Sequence, residues 1–505
     1  MKMRILFAYY RYSPYTNGPS TYIDTLRKEL QRQGHQVDLL THDPDWIHLQ
    51  LSNGNKINKI NVKAQLVQQW HTWYLSRFHP WVFWREMERY ALERSIGKLN
   101  IGQYDLIHCH DFIMARAIGR LKPSYIPLVV SLHNCKYHEA IITGNFYSKT
   151  LSEQQYIQSE EYLGAMSADK ILVPSCWLKQ QLIKIGVDSS KIHVYPYGVS
   201  KEPFEKRSDG QLDRIESSSN KVILCLGRLV DIKGHRYLIK ALKLIQDERD
   251  DFVCWIAGDG PLLKELQKMA NDCGVRDRIS FLGKRKDVPS LLKASDLVVL
   301  PSLHDTFPLA LLEGQLAGRP VIGTNVGGIP EIIEHGNNGF LVSPRDSQSL
   351  AHTITLLLRD DVLRQSLGRQ AEKWALTHAN VAEHVKQILS VYKELRNTSN
   401  NISSYSCSFH SWKPDVELLV RISTNPGYDP SFEQGLLTYR NKIPSDIPIS
   451  SGIKLNYVHL FDSLGVNLQT AEIDKNGEFV FHWIPKGNYI LRSTISKLGD
   501  QSISI

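Results

Sequence analysis

The feature that most constrains the fold is an alternation of short apolar, β-type runs with helical segments. The run RILFAYY leads into a helical segment, TYIDTLRKELQRQG, which is followed by the run QVDLLTH. Because a helix between two strands allows them to lie parallel in one sheet, this order predicts a parallel α/β layout. Three further apolar runs of the first half are DLIHCH, IPLVVSLH and KILVPS.

The same pattern starts again after a polar, serine-rich stretch near residues 208–220. The apolar runs of this second series are KVILCLGR, DFVCWIAG, RISFLG, DLVVLPS and RPVIGT. Two α/β domains in series, residues 1–200 and 201–396, are the simplest account of the repeat. The last helical segment, which continues to about Asn397, is a candidate to cross back to the first domain.

The chain changes character after this segment. Residues 397–410 are polar and predict a linker. Residues 411–505 then contain short β-type runs separated by turns such as DKNG and PKGN, without a convincing helix. The runs are VELLVRIS, KLNYVHLF, GEFVFHW and NYILRS. We expect a small antiparallel β-sandwich that forms an accessory domain.

Composition limits the class of protein. The chain has 505 residues, of which 42% are hydrophobic and 22% charged, enough for about two to four globular domains. Its seven cysteines form no C-x-x-C pair and no metal-ligand spacing, which predicts reduced thiols in a cytosolic protein. The N-terminal apolar run is too short for a secretory signal, and no uncharged apolar stretch reaches the roughly 18 residues of a membrane span. We expect a protein that is neither exported nor membrane-spanning.

Positive charge is concentrated in the first half. Residues 1–200 hold 23 Lys and Arg against 16 Asp and Glu, and so carry +7 of the formal net charge of +8. The chain has no zinc finger, RNP-type aromatic motif or basic repeat, so we expect no nucleic-acid partner. A membrane surface or a phosphorylated acceptor is the favoured partner, and a merely basic surface is the alternative.

Paired α/β domains commonly bind a nucleotide in the crevice beyond the carboxyl ends of their strands. The loop after RILFAYY has no G-x-G-x-x-G, which argues against a dinucleotide cofactor, and no Walker phosphate loop occurs. Instead, the segment LGRLVDIKGH brings Arg228 and Lys233 to a strand end just before a helix. Two cations and helix N-terminal amides together favour binding of a diphosphate.

The stretch HDTFPLALLEG places Glu313 among leucines, eight residues after Asp305. Pro308 suits a helix start, so Glu313 is expected in the second turn, on the same side as the preceding carboxylate. A carboxylate in apolar surroundings is costly unless it is paired or hydrogen-bonded. A solvated or ion-paired glutamate is the plain interpretation, and a ligand-binding carboxylate is the other.

Together these motifs resemble retaining GT-B glycosyltransferases of the family-4 kind over about residues 1–396. The motifs that carry the resemblance are GRLVDIKG, IAGDGP, ISFLG, PSLHDTFPLALLEGQLAGRPVI, GGIPE, HCHD and SLHN. The resemblance implies two Rossmann-like domains that face a cleft. It also implies an enzyme of polysaccharide biosynthesis. Such an enzyme transfers a sugar from a nucleotide-diphosphate donor, expected to be a UDP-sugar, to a hydroxyl of a glycan or glycolipid.

The resemblance assigns roles to individual residues. It places Glu313 on the donor ribose and Asp305, where the family usually has Glu, on the donor sugar. It places Arg228 and Lys233 on the diphosphate, so no metal or other cofactor is expected. The other donor-binding residues it implies are Asn17, Gly18, Gly283, Phe307, Pro308 and Leu309.

A histidine of the first domain completes the predicted catalytic group. His133 ends the run IPLVVSLH and matches the family's catalytic-site histidine, with a role in positioning the donor sugar or the developing charge. His110, in HCHD, is the rival; it would contact the acceptor or merely bond Asp111. The predicted catalytic residues are His133, Asp305, Arg228 and Lys233.

The sequence also allows functions other than sugar transfer. The departure at Asp305 and the extra C-terminal region fit a catalytically weak or dead nucleotide-sugar-binding scaffold. A GT-B epimerase would release UDP without an acceptor, and a phosphorylase would need a lysine-bound pyridoxal phosphate, for which the chain has no signature. The C-terminal region resembles carboxypeptidase-regulatory or prealbumin-like sandwiches. Such a domain would bind a glycan, bind a partner or only stabilise the rest of the protein.

Residues 70–94 mix aromatic and basic side chains. Four tryptophans lie among four arginines in WHTWYLSRFHPWVFWREMERYALER, a composition suited to the headgroup region of a membrane. We therefore predict docking on an anionic membrane, peripheral at its cytoplasmic face, where a lipid-linked acceptor would be met. Aromatic residues at helical spacing are also typical of a buried core, which is the alternative.

Overall fold

A computed structural model of the protein describes residues 2–12, 18–75, 77–202 and 220–399. Toward the C-terminus it describes residues 415–422, 437–442, 457–462, 466–474, 478–484, 488–493 and 500–504. These residues form two α/β domains followed by a smaller antiparallel region. The predicted fold class is therefore confirmed, while the sandwich arrangement of the C-terminal region stays a prediction.

The N-terminal domain is built on an eight-stranded sheet in the order β4-β3-β2-β1-β5-β6-β7-β8. Its strands are β1 Arg4–Tyr12, β2 Gln36–His42, β3 His48–Leu51, β4 Lys56–Asn58, β5 Leu106–Cys109, β6 Leu128–Ser131, β7 Lys170–Val173 and β8 Ile192–Val194. Strands β3 and β4 are antiparallel additions at one edge, and the other pairings are parallel. The β3–β4 hairpin was not predicted, because HLQL and KIN are too short to establish an alternation.

Seven helices described in this domain cover the sheet. They are α1 Gly18–Arg32, α2 Lys59–Leu75, α3 Pro80–Ile96, α4 Phe112–Gly119, α5 Lys136–Ile142, α6 Leu151–Met166 and α7 Cys176–Lys184. Several begin at side-chain caps, as at Asp111 before α4 and Ser175 before α7, and Thr150 and Glu153 form a capping box at α6. These caps satisfy amide groups that a helix start otherwise leaves without partners.

The second domain has a six-stranded, wholly parallel sheet in the order β11-β10-β9-β12-β13-β14. Its strands are β9 Lys221–Leu226, β10 Phe252–Ala257, β11 Ile279–Gly283, β12 Leu297–Leu300, β13 Val321–Thr324 and β14 Gly339–Val342. Its helices are α8 His235–Gln246, α9 Leu263–Asp272, α10 Val288–Ala294, α11 Leu309–Leu316, α12 Ser347–Arg359, α13 Asp361–His378 and α14 Val381–Ser399.

Helix α14 returns to the N-terminal domain. Its Tyr392 hydroxyl lies 2.5 Å from His108 Nδ1, and Arg396 forms a 2.9 Å ion pair with Asp105. The two α/β domains are thus joined both by the segment after β8 and by this helix.

The C-terminal region begins with helix α15, Val416–Arg421, where the sequence run VELLVRIS predicted a strand. That prediction is wrong. Asp415 accepts a hydrogen bond from the Leu418 amide at 3.2 Å, and Leu418 and Ile422, four residues apart, are both buried. An N-cap and an i, i+4 apolar pair favour a helical turn over the β-propensity of the run.

The antiparallel strands of this region form two small sheets. The strands are β15 Leu437–Lys442, β16 Tyr457–Phe461, β17 Asn467–Glu472, β18 Glu478–Ile484, β19 Asn488–Ser493 and β20 Gln501–Ser504. One sheet pairs β15 with β18, and the other has the order β17-β16-β19-β20. Their apolar faces share one buried cluster with helices α2, α3 and α6.

The predicted membrane-docking segment is part of this shared core. Trp81 and Trp84 are 1% and 6% exposed, and Arg85 and Arg89 are each 1% exposed. Arg85 pairs with Glu160 and, at 2.9 Å, with Asp462 of the C-terminal region. The prediction that residues 70–94 form a docking surface is therefore wrong for α3, because its aromatic and basic groups already have partners inside the protein.

Among the described residues, no helix combines the length and the apolarity that crossing a bilayer requires.

Candidate functional site

The loops after β9 and β12 bring the predicted phosphate and sugar ligands together. Gly234 adopts a left-handed conformation with φ +67°, and a Cβ atom there would lie 2.0 Å from the Pro301 carbonyl oxygen. Only glycine permits this close approach of the two loops. As a result Lys233 Nζ lies 2.5 Å from Asp305 Oδ2, and Ser302 Oγ donates to the same carboxylate oxygen at 3.2 Å.

Both cations are available to an anionic ligand. Lys233 ends a short 3-10 turn just before α8, and its ammonium group has three donors, of which one serves Asp305. Arg228 is exposed, and its side chain forms no hydrogen bond or ion pair within the described part of the chain. The edge of the second sheet therefore offers two cationic donors at the position where ligands of such sheets bind.

Glu313 lies in the second turn of α11, as its sequence spacing predicted. The residue is half-buried, and none of the described residues donates a hydrogen bond to its carboxylate. Burial raises the pKa of this carboxyl from 4.5 to about 7. A carboxylate that is desolvated without internal compensation is a typical sign of a ligand-binding role.

We expect Glu313→Gln to weaken UDP binding about tenfold to hundredfold at pH 8, since a hydrogen bond to a charged group contributes about 1.5–3 kcal/mol. Wild-type affinity should fall as the pH drops through about 7, where the carboxylate is protonated, and the affinity of the variant should not. Calorimetric titration with UDP at pH 6 and pH 8 measures both effects. Equal affinities of the two proteins at both pH values would remove Glu313 from the site.

The substitution Glu313→Gln should weaken UDP binding but stabilise the folded protein at pH 8. The folded protein holds the Glu313 proton more tightly than the unfolded chain does, so stability is lost as the pH rises from about 4.5 to about 7. Glutamine does not ionise, so the variant should melt at a higher temperature than the wild type at pH 8. At pH 4 the two melting temperatures should converge.

The other predicted donor-binding residues lie along the same cleft, apart from Asn17, which is outside the described residues. A Cβ atom on Gly18 would lie 3.9 Å from Leu309 Cδ1, so the start of α1 faces the start of α11. Pro308 directly precedes α11, and Phe307 packs its ring 5.7 Å from that of Tyr197. Gly283 ends β11 with φ +63° and open space around its Cα.

His133 lies at the carboxyl end of β6 and contacts both domains. Its Nδ1 shares a 2.5 Å hydrogen bond with the Tyr197 hydroxyl, and its carbonyl oxygen accepts one from Thr306 Oγ1 at 2.5 Å. Its Nε2 is buried without a partner in the described residues. Burial lowers the pKa of His133 to about 3, so the imidazole is neutral at physiological pH. A neutral ring can position a substrate but cannot serve as a cationic acid.

His110 lies deeper, with its ring stacked 5.7 Å from that of His133. It is 1% exposed, and burial and then the neighbouring His108 and His133 hold its pKa well below the usual range. The interpretation that His110 bonds Asp111 is wrong: both ring nitrogens lack a described partner, and Asp111 caps α4 instead, accepting from the Met114 amide at 2.8 Å. Contact between His110 and the acceptor stays a prediction.

Sequence reasoning missed several contacts that close the cleft. The Glu331 carboxylate, in GGIPE, accepts hydrogen bonds from the Cys176 and Trp177 amides at 2.8 Å each, which joins the second domain to the start of α7. A Cβ atom on Gly327 or Gly328 would lie 1.8 Å from a backbone oxygen of residues 305–306. Gly327 and Gly328 therefore allow these two loops to pack closely. The GGIPE motif was visible in the sequence. Its contact with the start of α7 could not be predicted from the motif, because that contact depends on the packing of the two domains.

No three His, Cys, Asp or Glu side chains are grouped as a metal site within the described ranges. The independence from metal that the sequence predicts is not tested by this observation and stays a prediction. The six described cysteines, Cys109, Cys135, Cys176, Cys225, Cys254 and Cys273, are free thiols.

Comparison with known families gives two matches. The family described as "Glycosyltransferase Family 4" matches residues 16–202, and the family described as "Glycosyl transferases group 1" matches residues 212–374. The first match takes in most of the N-terminal sheet, and the second takes in the whole of the second sheet. The C-terminal antiparallel region lies outside both.

Similar proteins have related names. An uncharacterized glycosyltransferase of Methanocaldococcus jannaschii is 29% identical over 408 residues, which are 77% of this chain and 98% of that protein. N-acetyl-α-D-glucosaminyl L-malate synthase of Bacillus anthracis is 25% identical over 403 residues, 79% of this chain and 99% of that protein. A UDP-Gal:α-D-GlcNAc-diphosphoundecaprenol α-1,3-galactosyltransferase of Escherichia coli is 28% identical over 305 residues, 58% of this chain and 76% of that protein.

Solved structures agree on the fold. HepE of Anabaena, in complex with UDP and glucose, aligns with a TM-score of 0.57 and 22% identity over 78% of this chain and 100% of its own. Sucrose-phosphate synthase of Thermosynechococcus elongatus aligns with a TM-score of 0.64 and 18% identity over 79% of this chain and 100% of its own. At these identities the likeness shows the GT-B fold alone.

Proposed function

The chain belongs, over its two α/β domains, to the family 4 and group 1 glycosyltransferases, and from this we propose a specific reaction. The protein transfers a sugar, with retention of configuration, from a UDP-sugar to a hydroxyl of a glycan or lipid-linked glycan. The observation that carries the proposal is the pairing of Lys233 with Asp305 at the edge of the second sheet, with Arg228 on the same loop after β9 and neutral His133 in the first domain.

The two cations supply the chemistry that the leaving group needs. As the bond between sugar and diphosphate breaks, negative charge grows on the diphosphate oxygens. Asp305 holds Lys233 at the ligand edge before the reaction starts, so the charge of this lysine costs little reorganisation, and the exposed Arg228 adds a second cation there. This electrostatic role would make a metal ion unnecessary. Asp305 orients Lys233 and is within reach of a donor-sugar hydroxyl bound at the same ammonium group.

His133 contributes position rather than a proton. Its Nδ1 is engaged by Tyr197, which fixes the plane of the ring, and its unpartnered Nε2 is left for a substrate oxygen. The Thr306 hydroxyl holds the His133 backbone from the other domain, next to Asp305 and Phe307. Because Thr306 adjoins Asp305, we assign the His133 ring to the donor-sugar side of the cleft.

Relatives support a hydroxyl acceptor in two different settings. The Bacillus anthracis protein is named for L-malate, and the Escherichia coli protein for a GlcNAc linked to diphosphoundecaprenol. Both named acceptors carry a hydroxyl and a negative charge. A phosphorylated or lipid-linked glycan would carry the same two features, and its negative charge would complement the positive charge of residues 1–200.

A donor screen tests the proposed function. The protein is incubated with UDP-, ADP- and GDP-linked glucose, galactose and N-acetylglucosamine, and release of the nucleotide is measured without an acceptor. We expect slow release of UDP from one UDP-sugar. Tight UDP binding with no release from any donor would contradict the proposal and favour a nucleotide-sugar-binding scaffold.

Substitution of the two stacked histidines should separate their roles. We expect His133→Ala to lower turnover about 100-fold or more with little change in UDP affinity, because the ring acts on the sugar from the other domain. His110→Ala, which removes a buried ring that has no described hydrogen bond, should affect mainly stability. Steady-state kinetics and UDP titration of both variants test this expectation. Loss of turnover in His110→Ala but not in His133→Ala would assign the catalytic position to His110.

A further inference from the structure

Helix α5 carries polar side chains that the donor reaction does not use. The helix starts three residues after His133, at the carboxyl end of β6, and so faces the second domain across the cleft. We refer to Lys136, His138 and Glu139 of α5, together with Trp177 and His304, as the α5 cluster. His304 directly precedes Asp305, so the cluster adjoins the expected position of the donor sugar.

Glu139 has unused capacity to accept hydrogen bonds. Its Oε2 accepts from Lys136 Nζ at 2.7 Å and from Asn134 Nδ2 at 3.2 Å. Its Oε1 receives no hydrogen bond from the described residues. An ionised carboxylate can accept about four hydrogen bonds, so this oxygen remains able to bind a ligand.

The charges around Glu139 come from both domains. Burial by itself would raise the pKa of its carboxyl, but Lys136 and then Arg228 and His304 lower it to about 2. The carboxylate is therefore ionised throughout the physiological range. Cations of both domains thus balance the charge of Glu139, while its Oε1 stays open to a hydroxyl donor.

Rings of the two domains form a wall beside this carboxylate. The ring centroids of His138 and Trp177 are 4.9 Å apart, and His304 lies 5.2 Å from each of them. His304 is 4% exposed, and its Nε2 and His138 Nδ1 have no partner in the described part of the protein. A half-buried tryptophan with unsatisfied polar atoms nearby offers an apolar face and hydrogen-bonding groups to one ligand.

We propose that the α5 cluster binds the acceptor, and that the acceptor is a sugar or cyclic polyol with adjacent hydroxyls. Two such hydroxyls donate to Glu139, with one reaching the open Oε1, while the ring lies against Trp177 and His138. Lys136 holds the carboxylate in place and does not contact the reacting atoms. This inference rests on the proposed function, because it assigns the second substrate of the same cleft.

The test compares Glu139→Gln with Lys136→Gln in acceptor-dependent release of UDP. The probes are methyl α-D-glucoside, N-acetylglucosamine and myo-inositol, each added to the donor that the wild type hydrolyses. We expect Glu139→Gln to lower kcat/KM for the stimulating probe about tenfold to hundredfold, the range for a lost hydrogen bond to a charged group. Lys136→Gln keeps the carboxylate and should change this value less than about threefold.

Donor hydrolysis without acceptor and UDP affinity should stay within about twofold of wild type in both variants, since neither residue is expected to bind the nucleotide. Asp272→Asn, which breaks the exposed Lys268–Asp272 pair of 2.7 Å on α9, is the matched control and should change nothing. Melting temperatures confirm that each variant is folded.

Three results would overturn the inference. Equal losses in the two variants would make the pair structural, and a parallel loss of hydrolysis and UDP binding would place Glu139 on the donor side. Wild-type hydrolysis that none of the three probes stimulates would reject the acceptor class. In each case donor hydrolysis persists in the wild type, so the donor half of the proposed function stands; the absence of hydrolysis would instead refute the proposed function.

Discussion

Removal of residues 400–505 is expected to prevent the remaining chain from folding. The C-terminal region supplies partners for charges that are buried in the N-terminal domain. Arg85 would lose Asp462, and Arg89 and Arg116 would lose Asp415, which lies 3.4 Å and 2.7 Å from them. Each buried group left with an unsatisfied hydrogen-bonding site costs about 1–3 kcal/mol, and a domain has only about 5–15 kcal/mol of stability in total.

Hydrophobic burial adds to this loss. The aromatic helices α2 and α3 share one core with Leu460, Phe479 and Phe481 of the C-terminal strands, all of which are at most 5% exposed. Truncation would expose this surface, and exposed apolar patches of that kind cause aggregation. We expect residues 1–399 in the insoluble fraction after expression, and the full chain, expressed in the same way, in the soluble fraction.

Single substitutions make the same prediction measurable in the full chain. Asp415→Asn and Asp462→Asn should each lower the free energy of unfolding by about 1–3 kcal/mol, because each removes one of several carboxylates that satisfy a buried arginine. Asp500→Asn breaks a more exposed pair with Arg492, 2.6 Å long, and should cost less than about 1 kcal/mol. A soluble 1–399 fragment that binds UDP would contradict this account and make the C-terminal region a separable accessory module.

Lys233→Ala should lower turnover about 100- to 1000-fold, because it removes one of two cations that stabilise charge on the leaving diphosphate. Stability should change little, since the Lys233–Asp305 pair is only partly buried, with side-chain exposures of 18% and 12%. UDP release and thermal unfolding, measured on one preparation, test both statements.

The matched control for Lys233→Ala is Lys221→Ala. Lys221 starts β9 and pairs with Asp361 at 3.2 Å, whereas Lys233 follows the carboxyl end of the same strand. The control should keep wild-type turnover. Equal turnover of Lys233→Ala and wild type would show that the lysine is merely an ion-pair partner of Asp305.

Local pattern was enough to predict the two α/β domains and the loops that carry Lys233 and Asp305. Apolar runs and helical segments alternate in the sequence because each strand and each helix buries one face against its neighbours. Residues in the loops that follow β9 and β12, such as Lys233 and Asp305, lie at the carboxyl edge of the sheet, where ligands of such sheets bind. The helical position of Glu313 likewise followed from its spacing after Pro308.

The tertiary structure decided the questions that depend on distant partners. The basic and aromatic groups of α3 suited a membrane in the sequence, but Arg85 finds its partner Asp462 across 377 residues and is buried with it. Helix α15 formed where a strand was predicted, because its apolar residues face α6. Glu139 joins the cleft only because the second domain brings Arg228 and His304 to it. Sequence determines the local period of apolar residues, while the partner of a buried charge is fixed by the packing of whole domains.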